Sequence, residues 1–183
     1  MIIGLTGPRY SGKTEVAKIL SVESFRVLGF GDEVRLERDA RGLPPDTDLH
    51  KLGVDLINEF GPQYWGVRVA GRMDLSSGAD YVVEGMRTMG DLEVFKKFPK
   101  FVLVGVTAPL DVRYQRCLDD KRGRPEDVKD YGDFIRRCQR DESSLEGGLG
   151  SRDLFDMRKH TIQNNTDITG LKLRTLGLLN LRE

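Results

Sequence analysis

The 183-residue sequence lacks several features that mark large classes of proteins. It has only two cysteines, Cys117 and Cys138, and their spacing matches no metal site, which favours a reduced, intracellular environment. No stretch of it approaches eighteen consecutive apolar residues, and the apolar start MIIGLT is too short to span a membrane. We therefore expect a cytoplasmic protein without a membrane partner.

An excess of one charge is also missing. The 29 Lys and Arg residues balance 29 Asp and Glu residues, so the formal net charge is zero although 32% of the residues are charged. Proteins dedicated to nucleic acids usually carry a basic surplus, so the balance disfavours DNA as a partner, although a local basic cleft is compatible with it. The length suits one compact domain with a sizeable core, and the sequence shows neither repeats nor a low-complexity linker.

What the sequence does contain is a regular alternation of predicted strands and helices. Short apolar runs typical of buried strands occupy residues 1–6, 25–30, 80–85, 101–108 and 160–164. Segments with apolar residues at helical spacing lie between them, which predicts right-handed βαβ units. We expect a three-layer α/β/α fold around a central, mostly parallel five-stranded sheet, with ligands bound beyond the carboxyl ends of the strands.

The residues after the first predicted strand read GPRYSGKT and match the phosphate-binding pattern G-x-x-x-x-G-K-[ST]. Its glycines let successive backbone N–H groups face one anion, and the helix that follows adds its positive N-terminal dipole. Lys13 would reach the β- and γ-phosphates of ATP, and Thr14 would be a ligand of Mg²⁺. The predicted nucleotide-binding residues are Gly7, Ser11, Gly12, Lys13 and Thr14.

The segments after this P-loop distinguish between the classes of P-loop protein. A GTP-binding switch would need a guanine-specific N-K-x-D, which the sequence lacks, and a motor or transporter ATPase would usually need a longer chain. Instead, GDEVR follows the second predicted strand and EGMRT follows the third. The arginines of both segments fall at the sheet edge where ligands bind, and forked guanidinium groups bind phosphate oxygens bidentately.

These two segments resemble the acceptor-phosphate signatures of nucleoside monophosphate kinases of the adenylate kinase type, G-D-x-x-R and D-G-x-x-R-T. The second segment has Glu in place of Asp and one residue fewer between Gly and Arg. The chain also resembles archaeal-type proteins described as dephospho-CoA kinase-like or adenylate kinase-related. The resemblance implies a P-loop small-molecule kinase that phosphorylates a nucleoside or deoxynucleoside monophosphate or a similar nucleotide-like acceptor. It implies an acceptor site made by Arg35, Arg87, Asp32 and Glu84.

A polar segment, RGRPEDVKDYGD, lies where small P-loop kinases carry an arginine-bearing lid. By this resemblance, Arg122 and Arg124 are catalytic candidates, because the charge that develops during transfer lies on the phosphoryl oxygens. Arg113 and Arg116, on the preceding predicted helix, have either an adenine-binding or a structural role. The implied single kinase domain has its core at 1–31, 79–121 and 146–183, a helical acceptor-binding region at about 32–78, and a lid with a flanking helix at about 122–145.

Asp32 has more than one interpretation. If the acceptor is a phosphate, transfer requires only positioning and charge neutralisation, and Asp32 would bind Mg²⁺-coordinated water or cap a helix. If the acceptor is a hydroxyl, as in dephospho-CoA or a hydroxymethyl-pyrimidine in DNA, Asp32 would be the general base. A nucleotide-binding ATPase or regulator is the third functional hypothesis.

Two further positions carry weaker signals. Asn164 and Asn165 lie at the end of the last predicted strand, where the base-contacting loop of this kinase group lies. Trp65, the single tryptophan, is interpreted as a packing residue rather than as a platform for a base.

Overall fold

The computed structural model describes residues 1–120, 130–143, 151–165 and 167–182. Within them, five strands form one sheet: β1 Ile2–Thr6, β2 Arg26–Gly29, β3 Tyr81–Glu84, β4 Phe101–Thr107 and β5 His160–Gln163. Their order is β2-β3-β1-β4-β5, and every neighbouring pair is parallel.

Helices connect the consecutive strands and cover both faces of the sheet. They are α1 Lys13–Val22, α2 Phe30–Ala40, α3 Leu49–Phe60, α4 Tyr64–Ala70, α5 Met89–Phe95, α6 Leu110–Leu118, α7 Tyr131–Glu142, α8 Ser151–Asp156 and α9 Ile168–Leu176. Two 3₁₀ segments lie at Leu75–Ser77 and Gly177–Arg182. The three-layer α/β/α architecture with a parallel sheet confirms the predicted fold. Within the described residues, every helix is too short or too polar to cross a bilayer.

Alternate residues of β1 supply the two halves of the core. Ile3 and Leu5 are fully buried in the cluster that also contains α1 and α9. Ile2 belongs to the opposite cluster, which α2, α3, α4 and α5 cover. Because successive side chains of a strand point to opposite faces, one short apolar run contributes to both layers.

Strand order and register place the functional loops beside each other. The central strand β1 pairs with β3 on one side and β4 on the other, with Leu5 opposite Glu84 and Thr6 opposite Gly105. Parallel strands end at the same edge of the sheet, so the loop after β1 lies next to the segment that follows β3.

The observed boundaries differ from the predicted ones mainly at the helices. Helix α2 starts directly after β2, so its N-cap is Gly29, and the interpretation of Asp32 as a helix cap is wrong. Helix α8 was not predicted, because six residues are too short to show a helical period, although its Leu154 is fully buried.

Ion pairs join α2 to α4. Nη2 of Arg68 in α4 lies 3.0 Å from the carboxylate of the buried Glu37, and Nε of Arg72, just after α4, lies 2.8 Å from the carboxylate of the buried Glu33. Trp65 is 3% exposed, and its indole N–H donates to the Gly53 carbonyl at 3.1 Å. Trp65 is therefore a packing residue, as predicted.

Candidate functional site

The loop between β1 and α1 passes very close to neighbouring groups. Gly7 has a φ of +136°, and a Cβ at this residue would lie 2.1 Å from the carbonyl oxygen of Val106. Gly12 has a φ of +102°, and its Cβ would lie 2.1 Å from Nδ2 of Asn164. Only glycine satisfies both the space and the backbone conformation at these positions.

Lys13 is the first residue of α1 and folds back over the loop. Its Nζ donates to the carbonyl oxygens of Gly7 and Pro8, each at 2.8 Å. Burial lowers the pKa of Lys13 to about 7, and the nearby charge of Arg87 is the next largest cause. A phosphate bound here would bring the negative charge that favours the ammonium form.

Thr14 and Glu84 lie against each other at the end of the sheet. Thr14 Oγ1 donates to Glu84 Oε2 at 3.0 Å, and Thr14 is exposed. The structure thus places Glu84 beside the P-loop hydroxyl, although the sequence resemblance put it with the acceptor. In the described ranges, no three His, Cys, Asp or Glu side chains could hold a metal ion by themselves. One hydroxyl and one carboxylate suit Mg²⁺, which usually takes its remaining ligands from water and phosphates.

Arg116 and Asn164 support the loop from outside. Arg116 donates to the carbonyl oxygens of Tyr10 at 3.3 Å and of Ser11 at 3.4 Å, and to Asn164 Oδ1 at 3.2 Å. Asn164 is 3% exposed, and its Nδ2 donates to the Ser11 carbonyl at 2.8 Å. Both side chains therefore position the P-loop backbone in this structure. The position of Asn164 directly after β5 was the signal available in the sequence.

Asp141 of α7 joins the P-loop to the segment after β3. Its buried carboxylate accepts hydrogen bonds from the guanidinium of Arg9 and, at 3.4 Å, from Nη1 of Arg87. Burial alone would raise the pKa of Asp141, but the charges of Arg87 and Arg9 hold this pKa below its usual value. The sequence contains no signal for either Arg9 or Asp141. Arg9 occupies an unspecified position of the P-loop pattern, and Asp141 is one of several acidic residues in a highly charged helix.

Asp91 fixes the backbone around Arg87. Its buried carboxylate accepts from the N–H groups of Gly66 at 2.9 Å, Thr88 at 3.1 Å and Arg87 at 3.3 Å. Burial raises the pKa of Asp91 to about 6, although these hydrogen bonds lower it. The carboxylate thus links α4 to the segment that carries Arg87.

The remaining predicted site residues are arranged differently. Asp32 and Arg35 form an ion pair of 2.8 Å at the start of α2, where their side chains are 72% and 48% exposed. Arg87 is connected to the P-loop through Asp141, whereas Asp32 and Arg35 pair with each other in solvent. Arg122 and Arg124 lie outside the described residues, so their catalytic role stays a prediction.

Comparison with known proteins identifies relatives by sequence. No protein-family model matches the chain. A UPF0200 protein of Methanothermobacter thermautotrophicus is 30% identical over 180 residues, which cover 98% of this chain and 89% of that protein. A UPF0200 protein of Pyrococcus abyssi is 34% identical over 156 residues, which cover 82% of this chain and 81% of that protein.

Solved structures are similar in fold. Shikimate kinase from Acinetobacter baumannii, in complex with shikimate, has a TM-score of 0.58 and 20% identity, covering 99% of this chain and 92% of that one. Shikimate kinase from Bacteroides thetaiotaomicron has a TM-score of 0.64 and 13% identity, covering 98% of both chains. The resemblance to nucleoside monophosphate kinases therefore holds at the level of the P-loop kinase fold. By its sequence the chain belongs to the UPF0200 family, and its fold is that of the P-loop kinases.

Proposed function

We propose that this protein is an ATP- and Mg²⁺-dependent kinase of a small anionic acceptor, with a nucleoside or deoxynucleoside monophosphate as the favoured class. The proposal rests mainly on one observation. The Thr14–Glu84 contact lies beside Lys13, and Arg87 lies close enough to lower the pKa of Lys13. Groups suited to a metal, a triphosphate and a second anion thus meet at one edge of the sheet.

The donor half is the P-loop. Gly7 and Gly12 give the backbone its close curvature, and Lys13 would bind the β- and γ-phosphates. Thr14 and Glu84 would hold Mg²⁺, which supplies charge neutralisation to the phosphates when bound. Together with positioning, this neutralisation of the charge on the phosphates is what phosphoryl transfer requires of the protein.

The acceptor half is formed by arginines. Arg87 is held through its backbone by Asp91, so its guanidinium is presented from a fixed segment. Arg35, now paired with Asp32 on α2, would contribute the second guanidinium. An acceptor oxygen attacks the γ-phosphorus, the bond to the β–γ bridging oxygen breaks, and ADP leaves. An acceptor phosphate is already anionic at neutral pH, so this reaction needs no general base.

A hydroxyl acceptor is the second candidate, because Asp32 presents an exposed carboxylate in the first turn of α2. Three of the similar solved structures are shikimate kinases, and one of them contains shikimate. In this case Asp32 would accept the hydroxyl proton as the nucleophile forms. Asp32→Asn separates the candidates: turnover falls strongly for a hydroxyl acceptor and is largely retained for a phosphate acceptor.

The test is a transfer assay with γ-labelled ATP and the purified protein. The acceptor panel contains nucleoside monophosphates, dephospho-CoA, shikimate and hydroxymethyl-pyrimidine DNA. We expect labelled product with a nucleoside monophosphate, loss of transfer in Lys13→Ala, and normal transfer in the control Lys18→Ala, an exposed lysine of the same helix. Labelled free phosphate with every acceptor, and no acceptor-dependent product, would instead indicate an ATPase or regulator.

Arg87→Ala and Arg35→Ala test the acceptor site within the same assay. We expect each to raise the KM of the acceptor far more than the KM of ATP, because a lost bidentate contact weakens the bound anion directly. If only the KM of ATP rises, the arginines belong to the donor site.

A further inference from the structure

Two arginines from distant parts of the chain converge on one carboxylate beside the P-loop. Arg9 approaches Asp141 with both Nε and Nη2, the latter 3.4 Å from Oδ1, and Arg87 reaches Oδ2 with Nη1 at 3.4 Å. The Asp141 side chain is only 4% exposed. Arginines bind the oxygens of a phosphate ligand in the same way, with forked guanidinium groups directed at oxygens that are shielded from water.

The charges around Lys13 provide a reason for a carboxylate between Arg9 and Arg87. The groups that act on Lys13 include the positive Arg9 and Arg87 and the negative Glu84 and Asp141. With Lys13 protonated, three cations therefore face two carboxylates before any nucleotide binds. Without Asp141 the excess of positive charge around Lys13 would be larger still.

We propose that Arg9 and Arg87 form a binding site for a phosphate oxyanion, and that Asp141 occupies this site until the ligand displaces its carboxylate. The proposal deepens the kinase function above and rests on it for the source of the anion. That source is either the γ-phosphoryl group of ATP or the phosphate of the acceptor. Asp141 thus lowers the affinity of the ligand-free site for phosphate.

The contacts of Asp141 are compatible with such an exchange. Its contact with Arg87 at 3.4 Å is long for a charge-assisted hydrogen bond, which is usually about 2.7–2.9 Å. The main chain of Asp141 is held separately, because the Ser151 hydroxyl donates to its carbonyl oxygen at 2.6 Å. In the proposed exchange a side-chain rotation of Asp141 would free both arginines while its main chain stays in place, and the negative charge of an incoming phosphate would favour this movement.

Calorimetric titration of the full-length protein tests the site without any transfer reaction. Wild type and Asp141→Asn are titrated with ADP, with a non-hydrolysable ATP analogue, and with inorganic phosphate after loading with the analogue. We expect unchanged affinity for ADP and about tenfold tighter binding of one of the two other ligands in the variant. Tighter analogue binding assigns the site to the γ-phosphoryl group, and tighter phosphate binding to the loaded protein assigns it to the acceptor anion.

Asp133→Asn is the matched control, since it removes the same charge from the same helix at a residue paired with Arg137. We expect it to behave as wild type. In Arg9→Gln the affinity for the anion falls about tenfold, and in the double variant Arg9→Gln/Asp141→Asn the gain disappears.

Three results would overturn the proposal: unchanged affinity for both anions in Asp141→Asn, an equal gain for ADP, or an equal gain in Asp133→Asn. If Asp141→Asn does not fold, Arg9→Gln decides, and an unchanged anion affinity in that variant refutes the site. A kinase assay without labelled product would refute the proposed function while leaving these binding results in place.

Discussion

Thr14 and Glu84 are joined by a hydrogen bond of 3.0 Å, which connects the P-loop hydroxyl to the carboxylate that ends β3. The partners lie 70 residues apart in sequence, and the pairing of β1 with β3 brings them together. We therefore propose that Glu84 belongs to the metal site together with Thr14, rather than to the acceptor site that the resemblance implied.

Glu84→Gln therefore tests the metal site. We expect a loss of roughly 10- to 100-fold in kcat and a higher Mg²⁺ requirement, because an amide is a weaker ligand for a hard cation than a carboxylate. ADP affinity measured without Mg²⁺ should stay the same. Glu93→Gln, an exposed acid paired with Lys96, is the control, and unaltered Mg²⁺ dependence in Glu84→Gln would contradict the assignment.

From the lowered pKa of Lys13 we predict that the protein takes up a proton when a nucleotide binds. In the ligand-free protein its pKa is about 7, so at about pH 8.5 the amine is mostly neutral. Bound phosphate stabilises the ammonium form and raises this pKa, so binding should take up about one proton from the buffer. Calorimetry in buffers of different ionisation enthalpy measures the number. Lys13→Met should show no uptake, and proton release by the wild type would refute the predicted coupling.

Helix α5 packs so closely against the segment before α4 that we expect no side chain to fit at Gly90. A Cβ at Gly90 would lie 2.4 Å from the backbone carbon of Pro62, which cannot move as a flexible side chain could. Gly90→Ala should lower the free energy of unfolding by about 3 kcal/mol in urea denaturation. Gly177→Ala is the control, since a Cβ there meets nothing within 4 Å. Equal stability of the two variants would show that α5 accommodates the methyl group.

We expect Asn164 to contribute both to the stability of the fold and to nucleotide binding. Asn164→Ala leaves the buried Ser11 carbonyl and the Arg116 guanidinium each without one partner, which should cost about 2 kcal/mol in unfolding free energy. Because the lost contacts hold the P-loop, ADP affinity should also fall, as fluorescence or calorimetric titration can measure. The exposed neighbour Asn165 provides the control Asn165→Ala, which should change neither quantity.

From the raised pKa of Asp91 we predict that the stability of the protein depends on pH. Its pKa in the folded protein is about 6, against 3.8 as its ordinary value. Between these values the folded state binds more protons than the unfolded chain, so the unfolding free energy should fall as pH rises from about 4 to about 6. Asp91→Asn should be less stable but should lack this part of the slope. An identical slope in wild type and variant would assign the pH dependence to other groups.

Much of this fold could be predicted because its information is local in the sequence. Buried parallel strands are continuous apolar runs, as in β1 and β4, and the P-loop needs glycine where the φ of Gly12 is +102°. The short helix α8 escaped prediction because its burial depends on the sheet behind it. Likewise, the start of α2 at Phe30 follows from the direct exit from β2 and not from a capping residue.

The sequence by itself determined the α/β class, the phosphate loop and the positions of arginines after two strands, because these depend on residue type and short spacing. Only the tertiary structure decided which charges meet. Asp141 lies 132 residues from Arg9 and 54 from Arg87, and Glu84 lies 70 residues from Thr14. Strand order and the packing of α7 set these contacts, since electrostatic interactions depend on distance in space, and neither spacing nor composition encodes that distance.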